Sequence, residues 1–269
     1  MKVILLAAGY GTRLQRDISQ DASGKYSHLA GLPKPLVPIA TKPLISHWMK
    51  SLVLHKATDK VYLVTNELYR KQFESWRQDW PQVSLVSDGT TSNEDRIGAV
   101  GCIQLAVREG SIADDILVIG GDTLFFDDFS LSAFLSEYEK RKEASPAASL
   151  VVSNQIPDEE TIKRGILEVN EDMRVTAFLE KPRPQETSSR RACPCFYLFS
   201  QQSLPHLDNF LQEDRPMKEK DATGNFVKYL HSRLPVYVYD ISGRYDVGSL
   251  ADYEVCNQHF MNKEKNETA

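Results

Sequence analysis

Apolar runs and helix-spaced apolar positions alternate along the first half of the chain. Lys2–Ala7 (KVILLA), Lys60–Thr65 (KVYLVT), Val83–Ser87 (VSLVS) and Ile116–Gly120 (ILVIG) are short aliphatic stretches, the pattern of strands buried on both faces. Between them, Leu44–Leu54, Leu68–Trp76 and Ile97–Val107 carry apolar residues three and four apart, which predicts amphipathic helices. Phe129–Lys142 predicts another helix, its charged end reading as a solvated face. Strands alternating with helices imply crossover connections and a mostly parallel sheet flanked by helices, an α/β fold.

Past Pro146 the pattern changes. Ala147–Ser153, Gly165–Val169, Val175–Glu180, Cys195–Leu198 and Val236–Ile241 read as strands, some of them antiparallel, and Ser249–Met261 reads as a closing helix. No Gly/Ser- or Pro-rich linker separates the halves, so residues 1–262 are expected to form one domain on a mixed sheet, with halves of about 1–145 and 146–262. Residues 263–269 form a polar tail expected to fray.

Composition narrows the classes. The 269 residues are 41% hydrophobic and 26% charged, which excludes disorder as the main state. A net charge of −5 argues against nucleic acid as the partner, since backbone binding needs a basic face. No apolar run reaches the ~18 residues of a membrane span, and Val3–Ala8 is too short for a signal-peptide core. Cys102, Cys193, Cys195 and Cys256 do not form a disulfide pattern, and no second Cys/His pair completes a zinc site around Cys193 and Cys195. These features predict a cytoplasmic protein with reduced thiols, away from membranes; the sequon at Asn266 then reads as unused.

The chemistry collects at strand ends. The first strand runs into Ala8-Gly9-Tyr10-Gly11-Thr12-Arg13, a loop able to aim backbone N–H groups at phosphate oxygens. It is neither a Walker A loop nor a dinucleotide fingerprint, whose third glycine position is Leu14 here. Taken alone it would serve equally as a structural turn. Lys34 lies between prolines in Pro33-Lys34-Pro35, Asp122 follows Gly120-Gly121, Glu180-Lys181-Pro182 closes another strand, and Asp246 sits in Tyr245-Asp246-Val247-Gly248. Individually the aspartates read as helix caps and the lysines as surface charges. Together, at the carboxyl edge where α/β folds bind ligands, they read as one site.

In combination these motifs resemble the sugar-1-phosphate nucleotidyltransferase (nucleotide-sugar pyrophosphorylase) family over nearly the whole chain. The resemblance implies a Rossmann-like fold and an enzyme that joins a nucleoside triphosphate to a sugar 1-phosphate, with Mg²⁺ as cofactor. By the same resemblance, Gly9, Gly11 and Thr12 contact the nucleotide, Arg13 binds the triphosphate, and Lys34 steadies the phosphates. Asp88, Gly89, Thr90 and Gly98 match where the family places the base. Asp122 and Asp246 are the implied Mg²⁺ ligands, Lys181 the partner of the sugar phosphate, and Glu180 and Gly165 the contacts to sugar hydroxyls.

Two departures stand out. Ala8 occupies a position that is glycine in many members, which weakens any inference about the base. Arg13 and Lys34 are also further apart than in compact bacterial members, and Gln15–Leu32 reads either as a surface insertion or as a mobile lid. Two other functions remain open: a catalytically silent regulatory homologue, and a cytidylyltransferase for a non-sugar phosphate such as phosphocholine. Arg13, Lys34, Asp122 and Asp246 together favour activity. A homodimer stays open, and no hexapeptide repeat points to a β-helix-driven trimer.

Overall fold

The computed structural model describes residues 1–268. It contains β1 (Lys2–Leu6), a short ribbon of β2 (Pro38–Ile39) and β3 (Lys42–Pro43), then β4 (Lys60–Thr65), β5 (Val83–Ser87), β6 (Ile116–Gly120) and β7 (Thr123–Phe125). The second half adds β8 (Ser149–Gln155), β9 (Gly165–Val169), β10 (Val175–Glu180), β11 (Arg191–Ala192), β12 (Phe196–Phe199), β13 (Val236–Asp240) and β14 (Arg244–Asp246). The helices are α1 (Thr12–Gln20), α2 (Ser46–Leu54), α3 (Arg70–Trp76), α4 (Ala99–Glu109), α5 (Leu131–Ala144), α6 (Pro205–Gln212), α7 (Met217–Asp221), α8 (Thr223–His231) and α9 (Leu250–Thr268).

One sheet runs through both halves in the order β10-β9-β11-β8-β12-β6-β1-β4-β5, with β13 also paired to β8. Strands β6, β1, β4 and β5 are parallel neighbours. Antiparallel β12 joins β6 to β8, so the two halves share a hydrogen-bonded seam. Alternate side chains face opposite ways along a strand, and β1 shows the consequence. Val3 and Leu5 enter one core with Trp48, Phe73, Phe134 and Tyr253; Ile4 enters the other with Val100, Ile103, Phe210 and Phe226. Burial on both faces is why β1, β4 and β6 are apolar without alternation.

One boundary differs from expectation. The closing helix continues past residue 262 to Thr268, through the stretch read as a fraying tail. Lys263 from this stretch reaches Asp127 at 2.7 Å and Thr41 donates to Glu264 at 2.9 Å, contacts that the local polarity did not reveal.

The Gln15–Leu32 segment, read as a surface insertion or a mobile lid, is mostly exposed but anchored at three points. Ile18, Tyr26 and Leu29 are buried in the core. The Gln15 amide donates to the Leu32 carbonyl at 2.9 Å and accepts from the Gly31 N–H at 2.9 Å. Tyr26 packs edge-on against Tyr253 and its hydroxyl donates to Glu254, which also pairs with Lys25. The segment is therefore bolted to α9. Among the described residues no helix is long and apolar enough to cross a membrane.

Candidate functional site

The carboxyl ends of β1 and β6 open onto a pocket of about 520 Å³. Gly9, Gly11, Lys34, Asp88, Gly98, Asp122, Gly165, Glu180 and Asp246 all line it. Thr12, Arg13, Gly89, Thr90 and Lys181 do not. Thr12 and Arg13 are exposed at the start of α1, and Arg13 Nη1 lies 3.2 Å from where a Cβ on Gly248 would be.

The glycine-loop wall is backbone-made. Gly11 has φ +62°, a conformation glycine adopts without Cβ strain, and a Cβ there would meet the Lys34 stem at 3.4 Å. Lys34 begins a one-turn helix in which Leu36 N–H donates to Pro33 O at 2.8 Å, so the prolines fix its direction. At Gly121 a Cβ would come within 2.6 Å of the Leu6 carbonyl; only glycine lets the Asp122 turn sit so close to β1.

Asp88 forms another part of this wall, with Thr90 behind it. Asp88 Oδ1 accepts from both the N–H and the hydroxyl of Thr90 at 2.8 Å. The Tyr10 hydroxyl, 2.7 Å from Thr90 Oγ1, must then donate to it. Burial pushes the Asp88 carboxyl up, against the hydrogen bonds from Thr90. Thr90 thus holds Asp88 from behind the pocket surface.

The opposite wall is made of charges from distant strands. β14 pairs antiparallel with β7, placing Asp246 opposite Thr123, and the Val247 N–H donates to the Asp122 carbonyl at 2.9 Å. The two aspartates therefore occupy neighbouring strand ends. Asp122 is loosely paired with Lys34 at 3.5 Å and remains partly open. Asp246 is held by Arg164, through a short contact, and by Arg244 at 3.4 Å. Burial alone would raise the Asp246 carboxyl, but Arg244 and Arg164 outweigh it and hold it below the ordinary carboxylate range.

Sequence reading missed both arginines, although each adjoins a motif. Arg164 precedes Gly165, and Arg244 shares a strand face with Asp246 by the two-residue period.

The remaining wall is apolar. The Phe178 ring sits between Gly165 and Gly224, where added Cβ atoms would stand 2.3 and 2.2 Å from its tip. Cys193 and Cys195 lie beside it. Burial raises both thiols, Cys195 to about 12, so they are protonated lining rather than nucleophiles. All four cysteines are free.

The chain spans about half the length of the curated relatives it matches first. It is 28% identical over 267 residues to the bifunctional protein GlmU of Methanococcus maripaludis strain C5, covering 98% of this chain and 55% of that protein. It is 24% identical over 264 residues to a UTP–glucose-1-phosphate uridylyltransferase of Synechocystis, covering 94% and 61%. Among solved structures it superposes on a UDP-glucose pyrophosphorylase complexed with UDP-glucose with a TM-score of 0.72, at 19% identity and covering 97% and 98% of the two chains. A UTP-bound UGPase from Acinetobacter baumannii gives 0.70 at 20% identity, covering 96% and 92%. Residues 2–263 match the family model for nucleotidyl transferases, and the chain belongs to that family.

Proposed function

We propose that this pocket joins a nucleoside triphosphate to a sugar 1-phosphate, releasing pyrophosphate and forming a nucleotide sugar. One observation carries the reading: the glycine loop, Lys34, Asp122 and Asp246 line a single pocket at the carboxyl edge of the sheet, with Lys34 paired to Asp122 at 3.5 Å. Gly9 and Gly11 receive the nucleotide phosphates on backbone N–H groups, with Asp88 at the base end and Glu180 and Gly165 at the sugar end.

The acceptor needs no protein base. A phosphomonoester with a second pKa of about 6 is already mostly dianionic at pH 7. What it does need is cancellation of repulsion between two anions and in-line placement at the α-phosphorus. Lys34 and Arg164 supply charge on the pocket wall, and Arg13, exposed at the start of α1 just past the glycine loop, is assigned to the leaving pyrophosphate. Phe178 and the protonated thiols of Cys193 and Cys195 exclude water around the sugar.

The donor set fits Mg²⁺ brought in with the triphosphate better than a resident metal. Among the described residues no group of three His, Cys, Asp or Glu converges, whereas Mg²⁺ is commonly held by one or two carboxylates plus substrate phosphates. Asp122 and Asp246 are the residues that would hold it. When bound, it would neutralise charge developing on the α-phosphate.

The test is pyrophosphate release with Mg²⁺ over five nucleoside triphosphates, each against a panel of sugar 1-phosphates and phosphocholine. The names of the relatives make UTP with glucose 1-phosphate the first pair to try. Turnover with a sugar 1-phosphate is expected. Turnover only with phosphocholine, or ligand binding without turnover anywhere on the grid, sinks the proposal.

A further inference from the structure

A second cavity, of about 720 Å³, opens beside the first and shares Glu180, Asp221 and Ala222 with it. Five cations line it: Lys181, Arg215, Lys218, Lys228 and Arg233. Its three carboxylates are already engaged. Glu180 pairs with Lys181 at 3.6 Å, Glu219 with Arg215 at 3.0 Å, and Asp221 with Arg96 of the first pocket at 3.1 Å. Lys218, Lys228 and Arg233 have no carboxylate partner among the described residues.

Uncompensated cations on a convex face are simply solvated, but in a concavity their fields add. Two further features make this cavity more than a cluster of lysines. Arg233 is fixed: its guanidinium stacks 3.6 Å from the Tyr229 ring centre and donates to the Tyr229 carbonyl at 2.8 Å. Lys181 adopts φ +53°, a conformation disfavoured for a residue with a Cβ, and lines this cavity while Glu180 just before it lines both. The left-handed residue thus marks the border where the chain passes from one cavity to the other.

We propose that the second cavity is an anion site for a phosphate-bearing small molecule, its phosphate held by Lys218, Lys228 and Arg233. Planar guanidinium and flexible ammonium groups together suit a phosphomonoester or polyphosphate. The size is that of a small-molecule site. The phosphate has two sources: a second phosphate on an acceptor lying across the shared wall at Glu180, or a separate phosphorylated molecule.

Calorimetric titration of the full chain separates them and does not depend on catalysis, so failure of the proposed transferase reaction would leave this test intact. Inorganic tripolyphosphate is expected to occupy two sites in the wild type and one in Lys218→Gln/Lys228→Gln, which changes exposed, unpaired side chains. Lys218→Arg/Lys228→Arg should retain both. If the acceptor bridges the cavities, glucose 1,6-bisphosphate binds the wild type at least ~10-fold tighter than glucose 1-phosphate, and the Gln variant loses the preference. Equal binding of the two sugars, with loss of the second tripolyphosphate site in the variant, assigns a separate ligand. A wild type that binds no tripolyphosphate, or a Gln variant that binds as many as the wild type, overturns the proposal.

Discussion

The two facing walls of the pocket are built on opposite principles. The glycine-loop wall is turn-made: Gly9 to Gly11 and Asp88 to Thr90 sit in turns directly after β1 and β5, Asp88 is held by Thr90 two residues on, and the Tyr10–Thr90 bond ties the two turns together. The Asp246 wall is assembled from β9, β7 and β14, with two partly buried arginines, Arg244 and Arg164, and one carboxylate between them. The turn-made wall sets its aspartate's proton affinity by burial, the assembled wall by opposite charge. Asp88 is pushed up and Asp246 is held down. Two carboxylates on one pocket are therefore expected to answer differently to the same changes.

The largest expected effects separate Asp246 from Asp122. Replacing either by Asn should lower turnover by at least ~100-fold, as loss of a main electrostatic contributor does. The double variant should be hardly worse than either, because residues acting on one charge are not additive. Stability should split the pair. Asp246→Asn leaves Arg244 without its carboxylate and is expected to cost about 3 kcal/mol in urea unfolding. Asp122→Asn breaks only a loose, half-open pair and should cost less than ~1 kcal/mol. Equal melting temperatures for the two variants would erase the distinction between an open carboxylate and a structurally paired one.

A smaller effect tests the apolar wall. Gly224→Ala forces its methyl into the Phe178 ring and should cost about 1–3 kcal/mol by overpacking. Acceptor affinity should fall further than nucleotide affinity. Equal losses would mean that Phe178 and its glycines support the fold alone.

The pH response is the sharpest form of the comparison. The depressed carboxyl of Asp246 contributes stability at neutral pH that disappears as the pH falls below about 4, through its folded-state pKa. Asp88 has the reverse sign: its raised pKa penalises the folded state at neutral pH, and acidification towards about 4 relieves the penalty. Asp88→Asn should therefore melt at or above the wild type at pH 7, with the gain fading towards pH 4. Asp246→Asn should melt below wild type at pH 7, with the deficit shrinking on acidification. Parallel curves for the two variants would contradict the opposite electrostatics.

The smallest effect concerns Thr90, which lies behind the surface. Thr90→Val removes the hydroxyl between Tyr10 and Asp88 and should cost about 1 kcal/mol, weakening nucleotide affinity and leaving acceptor affinity unchanged. A change confined to acceptor affinity would misplace the base end of the pocket.

What the sequence determined by itself was whatever short-range physics controls. Short apolar runs with no alternation fit strands covered on both faces, and β1, β4 and β6 fall where the runs predict. Glycine at a strand end can only mean a tight turn or a close approach, and Gly11 and Gly121 show one of each. The strand-end carboxylates Asp122 and Asp246 were legible for the same reason, since the carboxyl edge of a sheet gathers its loops.

Tertiary structure alone decided partnership. Nothing near Asp246 announces that Arg164, 82 positions away, will neutralise it, because an ion pair depends on which strands become neighbours. The Gln15–Leu32 segment looked polar and free, yet Tyr26 finds Tyr253 and Glu254 on a helix at the far end of the chain. Lys181 looked like part of the main pocket, yet a single left-handed residue assigns it to the cavity next door. In each case the deciding contact joins segments far apart in sequence, and local periodicity carries no information about where such segments meet.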